Sequence, residues 1–318
     1  MRRSRARRVL RRVGIGFVTL LVLVTLGSVA YDLATAGRDV PARQLYPGPY
    51  VRVDGTELAY RRWGSRGSPI LLLGGFAEPA WVWHEVGPLL GRRHRVYALD
   101  LPPWGYSQRR GPYTLARWTS LARGFAAALR LRRPLVVGHS LGAGVAVSYA
   151  VAAPSDVAGI VLLDGDALPV GGGNGWLADL LVPPWYTTAY RIATGWSWVV
   201  DRVVANAWGA GRPPTSAAFV AQWQRPFRVE GTADALRSLA ATGVQGVTRE
   251  TLRRVRVPRL VVWGVDDRVD SPAAGRATAA LLRSRFVEIP RAGHLSMLEA
   301  PRAVARAVSR VAARTSGR

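Results

Sequence analysis

A serine, a histidine and an aspartate, far apart in the chain, are the residues whose types and settings suggest chemistry. Ser140 lies in Gly138-His139-Ser140-Leu141-Gly142, after the β-branched run Leu135 to Val137 and before a small-residue helical stretch from Ala143 to Ala153. A buried strand turning sharply into a helix through Gly-x-Ser-x-Gly forms a nucleophile elbow, with the serine hydroxyl exposed on a strained turn. Flanking glycines let strand and helix approach each other, and the helix aims its first amides and its positive end at the place where an oxyanion would develop.

A serine hydroxyl is a weak nucleophile at neutral pH and needs a base within hydrogen-bond reach, itself oriented by a third group. The chain has four histidines. His139 lies inside the elbow and points away if Ser140 points in; His94 sits beside arginines before a strand; His84 follows Trp83 on a helix. His294, in a loop after the last strand, is the candidate base. The candidate acid is Asp267, in the loop after Arg259 to Gly264, with Asp164, at the end of an earlier strand, and Asp266 as alternatives. The expected oxyanion hole consists of the backbone amides of Leu141 and Phe76.

These residues need a scaffold that brings strand ends to one edge. From Tyr50 the pattern is globular: an alternating hairpin around Asp54-Gly55, then Ile70 to Leu73, Arg95 to Leu99, Leu135 to Val137 and Ile160 to Leu163 as strands separated by helical stretches. One of these helices, Thr114 to Leu131, is capped by Thr114. Such alternation predicts an α/β fold with a mainly parallel sheet, helices on both faces, and ligands beyond the strand C-termini. It breaks off at Ala167. Residues 167–247 carry a glycine run (Gly171, Gly172, Gly173, Gly175) and Trp176, Trp185, Trp196, Trp198, Trp208 and Trp223, six of the twelve tryptophans. This concentration predicts an inserted helical cap that covers the site with an aromatic lining, although most such rings would serve the cap's own packing. The core is then residues 50–166 and 248–318.

All 44 basic residues are arginine and the formal charge is +24. The absence of lysine, with abundant alanine and glycine, reads as GC-biased coding, and the arginines form no stripe interleaved with aromatics, so no nucleic-acid partner is expected. The lack of cysteine excludes disulfides, thiolate zinc sites and cysteine nucleophiles; no cofactor or metal is expected. Seven arginines crowd the first twelve residues, ahead of the uncharged apolar run Val13 to Ala30. As a helix that run is about 27 Å long, close to the hydrocarbon thickness. It is expected to cross a membrane as a signal anchor (13–31), with residues 1–12 cytoplasmic and the rest exported. Rival readings are a signal peptide, cleaved near Ser28-Val29-Ala30 or Ala34-Thr35-Ala36 to release a secreted protein, and a buried core helix. Residues 32–49, with three prolines, read as a tether.

From about Tyr50 to Val311 the chain resembles the α/β-hydrolase superfamily, in particular its small, capped serine hydrolases. The resemblance is carried by Gly138-His139-Ser140-Leu141-Gly142, by Trp263-Gly264-Val265-Asp266-Asp267 with the acid third after the glycine, by Ala292-Gly293-His294, and by Trp83 after the oxyanion loop. It implies an eight-stranded sheet and the triad order Ser140, Asp267, His294. Two departures stand out: Gly74-Gly75 replaces the family's His-Gly pair before the oxyanion donor, and Pro103 replaces the glycine after Asp-Leu-Pro. The expected activity is hydrolysis of small-molecule carboxylic esters with apolar or aromatic acyl groups. The fold also accommodates perhydrolases, carbon–carbon bond hydrolases, acyltransferases and non-catalytic binding modules.

Overall fold

A computed structural model describes residues 2–172, 182–212 and 215–315; Gly173, Gly175 and Trp176 of the glycine-rich run lie outside them. Eight strands form one sheet in the order β1 (Tyr50–Val53), β2 (Thr56–Trp63), β4 (Arg95–Leu99), β3 (Pro69–Leu73), β5 (Leu135–His139), β6 (Gly159–Leu163), β9 (Arg259–Gly264), β10 (Arg285–Ile289). The hairpin strands β1 and β2 pair antiparallel, and β2 joins β4 antiparallel. From β4 to β10 every pairing is parallel. Strands β3, β5 and β6 are buried throughout, as expected where helices cover both faces.

Each flanking helix has its own local cause. Helix α4 (Leu115–Ala128) begins where Thr114 Oγ1 accepts the Arg117 amide at 3.2 Å and buries Trp118, Leu121 and Phe125. Helix α5 (Leu141–Ala152), which follows the elbow, is apolar almost all round because it packs between the sheet and α4. Helix α13 (Pro301–Thr315) is amphipathic and buries Val304, Val308 and Val311 on the opposite face.

The insertion after β6 is mainly helical: α6 (Trp185–Gly195), α7 (Ser197–Ala205), α8 (Ala217–Gln224) and α9 (Thr232–Thr242). Its ends are tied together by a short antiparallel ribbon, β7 (Val170–Gly172) with β8 (Gly243–Val244). Of the five described tryptophans here, two are packed in the cap's interior and three are partly exposed to solvent. Trp208 and Trp223 are buried in packing with Phe219 and Trp81. Trp196 and Trp198 are exposed, and Trp185 donates to Thr25 Oγ1 at 3.1 Å.

That last contact belongs to a long N-terminal helix, α1 (Arg2–Thr35), whose apolar stretch is almost wholly exposed. Beyond Ala30 the chain does not behave as the tether anticipated for residues 32–49. Arg191 on α6 donates to Asp32 O (2.6 Å), Thr35 Oγ1 (3.0 Å) and Asp39 Oδ2 (2.8 Å). Val40 then bridges Val229 of the cap, and Leu45 is buried in a small cluster with Tyr106 and Val229. The polar residues that read as linker composition are used to dock the segment on the cap.

Candidate active site

Strand β5 delivers Ser140 at φ 49° and ψ −119°, a conformation rare for a residue with a side chain. The surrounding crowding explains the flanking glycines. A Cβ on Gly138 would stand 2.1 Å from Gly142 O, and one on Gly142 would stand 2.7 Å from Leu73 O. Neither position accepts a side chain without moving backbone.

His294 and Asp267 meet. His294 Nδ1 lies 2.8 Å from Asp267 Oδ2, and both residues are buried. Asp267 Oδ1 is held by the amides of Val269 (2.9 Å) and Asp270 (3.0 Å), which fixes the carboxylate in the loop after β9. With Nδ1 donating to this carboxylate, Nε2 is the ring nitrogen left for a hydroxyl. The two alternative acids are spent elsewhere. Asp164 Oδ1 accepts from Gly264 N at 2.7 Å and its Oδ2 accepts from Ser296 Oγ. Asp266 Oδ2 accepts from the Ala210 amide of the cap at 3.0 Å.

His139 turns from the serine into a buried polar network that the sequence does not reveal. Its Nδ1 faces Glu78 Oε2 at 2.8 Å and its Nε2 faces His294 O at 2.7 Å. Burial opposes a charge on this ring, but Glu78, as ion and as acceptor, outweighs it, with further help from Asp164 and the His294 carbonyl, and the pKa is pushed up to about 9. Asp164, 4.0 Å from His139 Nε2, moves the other way in charge: burial foremost raises it to about 7. Glu78 Oε2 also accepts the Gly75 amide at 2.6 Å, so one carboxylate steadies the oxyanion loop where the family histidine is missing. A glutamate three residues after a turn glycine and followed by Pro79 is the faint sequence signal for this role.

Leu141 is the first residue of α5, where amides lack an intrahelical partner. Phe76 follows Gly75, whose added Cβ would lie 2.8 Å from Ser140 Cβ. The Phe76 ring, half exposed, lies 4.4 Å from Trp104, in the segment that carries Pro103. The cap holds the histidine loop directly: His294 N donates to Ala207 O (2.8 Å), and Glu299 accepts both Gly293 N (2.8 Å) and Gly209 N (2.9 Å). Among the described residues no group of three or more histidines and carboxylates is arranged to hold a metal ion.

The alpha/beta hydrolase family model matches residues 70–307, three quarters of the chain. The chain belongs to that family. This alpha/beta hydrolase is 25% identical over 256 residues to the uncharacterized hydrolase YugF of Bacillus subtilis, covering 78% of this chain and 92% of YugF. It is 27% identical over 254 residues to 2-hydroxy-6-oxo-2,4-heptadienoate hydrolase of Pseudomonas putida, covering 76% of this chain and 88% of that enzyme. Among solved structures, a bacterial membrane phospholipase A superposes with a TM-score of 0.67 at 23% identity, covering 95% of this chain and 97% of that one. Hydrolases are thus among the relatives of this alpha/beta hydrolase, and a solved structure shares the fold over 95% of the chain.

Proposed function

We propose that this alpha/beta hydrolase is a serine hydrolase that cleaves carboxylic esters of apolar or aromatic acyl compounds through an acyl-enzyme on Ser140. The observation that carries this reading is the 2.8 Å bond between His294 Nδ1 and Asp267 Oδ2, on the loops that flank the strained elbow. His294 Nε2 takes the proton of Ser140 as Oγ attacks the ester carbonyl, and Asp267 stabilises the imidazolium. The amides of Leu141 and Phe76 hold the oxyanion. The tetrahedral intermediate collapses, the alcohol leaves with the proton from His294, and a water deprotonated by His294 then releases the acid. The half-exposed Phe76 beside Trp104 offers an apolar surface for the acyl group.

The kinship with 2-hydroxy-6-oxo-2,4-heptadienoate hydrolase supports a second reading, cleavage of a carbon–carbon bond next to a carbonyl by the same residues. Turnover of p-nitrophenyl acetate, butyrate and octanoate, compared with a vinylogous 2-hydroxy-6-oxo acid, separates the two. Preference for octanoate over acetate by at least tenfold in kcat/KM supports the ester reading; selective turnover of the dienoate overturns it.

We also propose that α1 is retained as a membrane anchor, with its arginine-rich start cytoplasmic and the hydrolase domain outside. Cleavage after Ala30 or Ala36 would remove Thr25 and Ser28, and in the second case Asp32 and Thr35, all of which bind the cap. Protease digestion of intact cells and of lysed cells tests the orientation: full protection of the domain in intact cells contradicts it.

A further inference from the structure

Where α1 meets the cap there is a cavity of about 490 Å³ apart from the candidate active site, lined by Arg38, Asp39, Tyr190, Arg191, Arg225 and Arg228 among others. Four guanidiniums and one carboxylate line it, and Arg191 is already paired with that carboxylate and with a second one behind it: Asp39 Oδ2 accepts from Arg191 at 2.8 Å and Asp32 Oδ1 lies 3.7 Å from it, which leaves Arg38, Arg225 and Arg228 in excess. Arg228 Nε is engaged by the Arg38 carbonyl at 3.1 Å. Among the described residues no carboxylate lies within ion-pair distance of Arg38, Arg225 or Arg228. Among the described residues Arg191 Nε, a buried donor on the cavity wall, has no hydrogen-bond partner. A concave site with excess guanidinium donors suits a phosphate or phosphodiester, which accepts in the planar, bidentate geometry that arginine offers.

The height of the cavity on α1 narrows the source. Its contacts with α1 and the residues just beyond run from Asp32, through Arg191, to Arg38. At 1.5 Å per residue this interval lies roughly 3 to 12 Å past Ala30, the end of the apolar run. The polar layer on each side of a bilayer is on the order of 5 to 8 Å deep, and arginine side chains reach several ångströms toward it. Trp185, at the opposite end of α6, bonds to Thr25 inside the apolar run, which with α1 as a span brings the cap against the membrane surface.

We infer that this cavity binds the phosphate of an anionic membrane lipid, which docks the cap on the bilayer at a site separate from Ser140. The lipid source rests on reading α1 as a retained span; the phosphate chemistry does not. The full chain in nonionic detergent is titrated with dihexanoyl-phosphatidylglycerol, dihexanoyl-phosphatidylcholine and inorganic phosphate, with thermal stabilisation as the readout. The expected result is saturable stabilisation by the glycerol lipid, at least tenfold weaker with the choline lipid or phosphate. The affinity should fall at least tenfold in Arg225→Gln/Arg228→Gln and stay unchanged in Arg202→Gln, an exposed cap arginine outside the cavity. An unchanged far-ultraviolet circular dichroism spectrum and a cooperative melt without ligand show that the variants are folded. Equal response to both lipids, or no loss in the double variant, overturns the site; phosphate binding as tightly as the glycerol lipid overturns the lipid source. Carbonate extraction of membranes reads the anchor separately, because a chain released by carbonate contradicts the span without touching the titration.

Discussion

His139 Nε2 donates to the main-chain oxygen of His294 at 2.7 Å while Nδ1 donates to Glu78 at 2.8 Å. Both ring nitrogens face acceptors, so the doubly protonated ring fits its surroundings. The elbow's own histidine thereby holds the loop of the proposed base, and Glu78 ties both to the oxyanion loop through Gly75. Substituting Glu78→Gln leaves a buried imidazolium without its counter-charge. The expected loss is about 3 kcal/mol of stability, read by chemical denaturation, together with a drop in kcat of about tenfold and little change in KM.

The same pair sets a pH dependence. The folded pKa of His139, about 9, lies above the ordinary histidine value, so its stabilisation is complete below about 6.5 and is lost as pH rises through about 9. Asp164, raised to about 7, makes its change at lower pH and leaves the upper window to His139. Denaturation midpoints should therefore fall between pH 7 and 10, by up to roughly 3 kcal/mol. In Glu78→Gln this slope should largely vanish; an equal slope in the variant would exclude the pair as its cause.

The three aspartates near the base are separable by rate. Asp267→Asn should lower kcat by about 10⁴-fold, because Nδ1 loses the acceptor that sets its tautomer. Asp266→Asn, whose carboxylate accepts from a cap amide, should stay within about threefold of wild type. Asp164→Asn perturbs Ser296 and Gly264, so it should cost stability more than rate. Steady-state kinetics of the three variants decide the order.

Arg191 should act as the clamp between α1 and the cap. Arg191→Met removes its bonds to Asp32, Thr35 and Asp39 while keeping most of the packing. A loss of about 2 kcal/mol, seen as a melting temperature lower by roughly 5 °C, is expected, with turnover of a soluble ester retained.

Glu299 bridges the histidine loop and the cap through Gly293 and Gly209. Glu299→Ala frees both amides and should lower kcat/KM by about tenfold, whereas Glu299→Gln, which keeps one acceptor, should lose less. Stopped-time assays at saturating and limiting ester separate the two contributions.

The sheet and the three proposed catalytic residues were legible because each is written locally. The elbow needs glycines around Ser140; Asp267 and His294 each follow a strand by a short loop, and the strands show as β-branched runs. Glu78 was not legible, because its value comes from His139, 61 residues away, and from the missing family histidine. The stretch from Asp32 onward reads as a tether for a similar reason: Asp32, Thr35 and Asp39 look like linker residues until Arg191, 152 residues from Asp39, supplies their partner. The tryptophans of the cap showed by composition where an insertion lies, but composition does not say which way a ring faces.

The most direct measurement of the central claim is intact-mass analysis of the full chain after reaction with a fluorophosphonate. One phosphonyl adduct, mapped to the peptide carrying Ser140, absent from Ser140→Ala and formed at least a thousandfold more slowly in His294→Ala, is the predicted result. A folded wild-type protein that acquires no adduct, or acquires it on another residue, would contradict the assignment of Ser140 as the nucleophile.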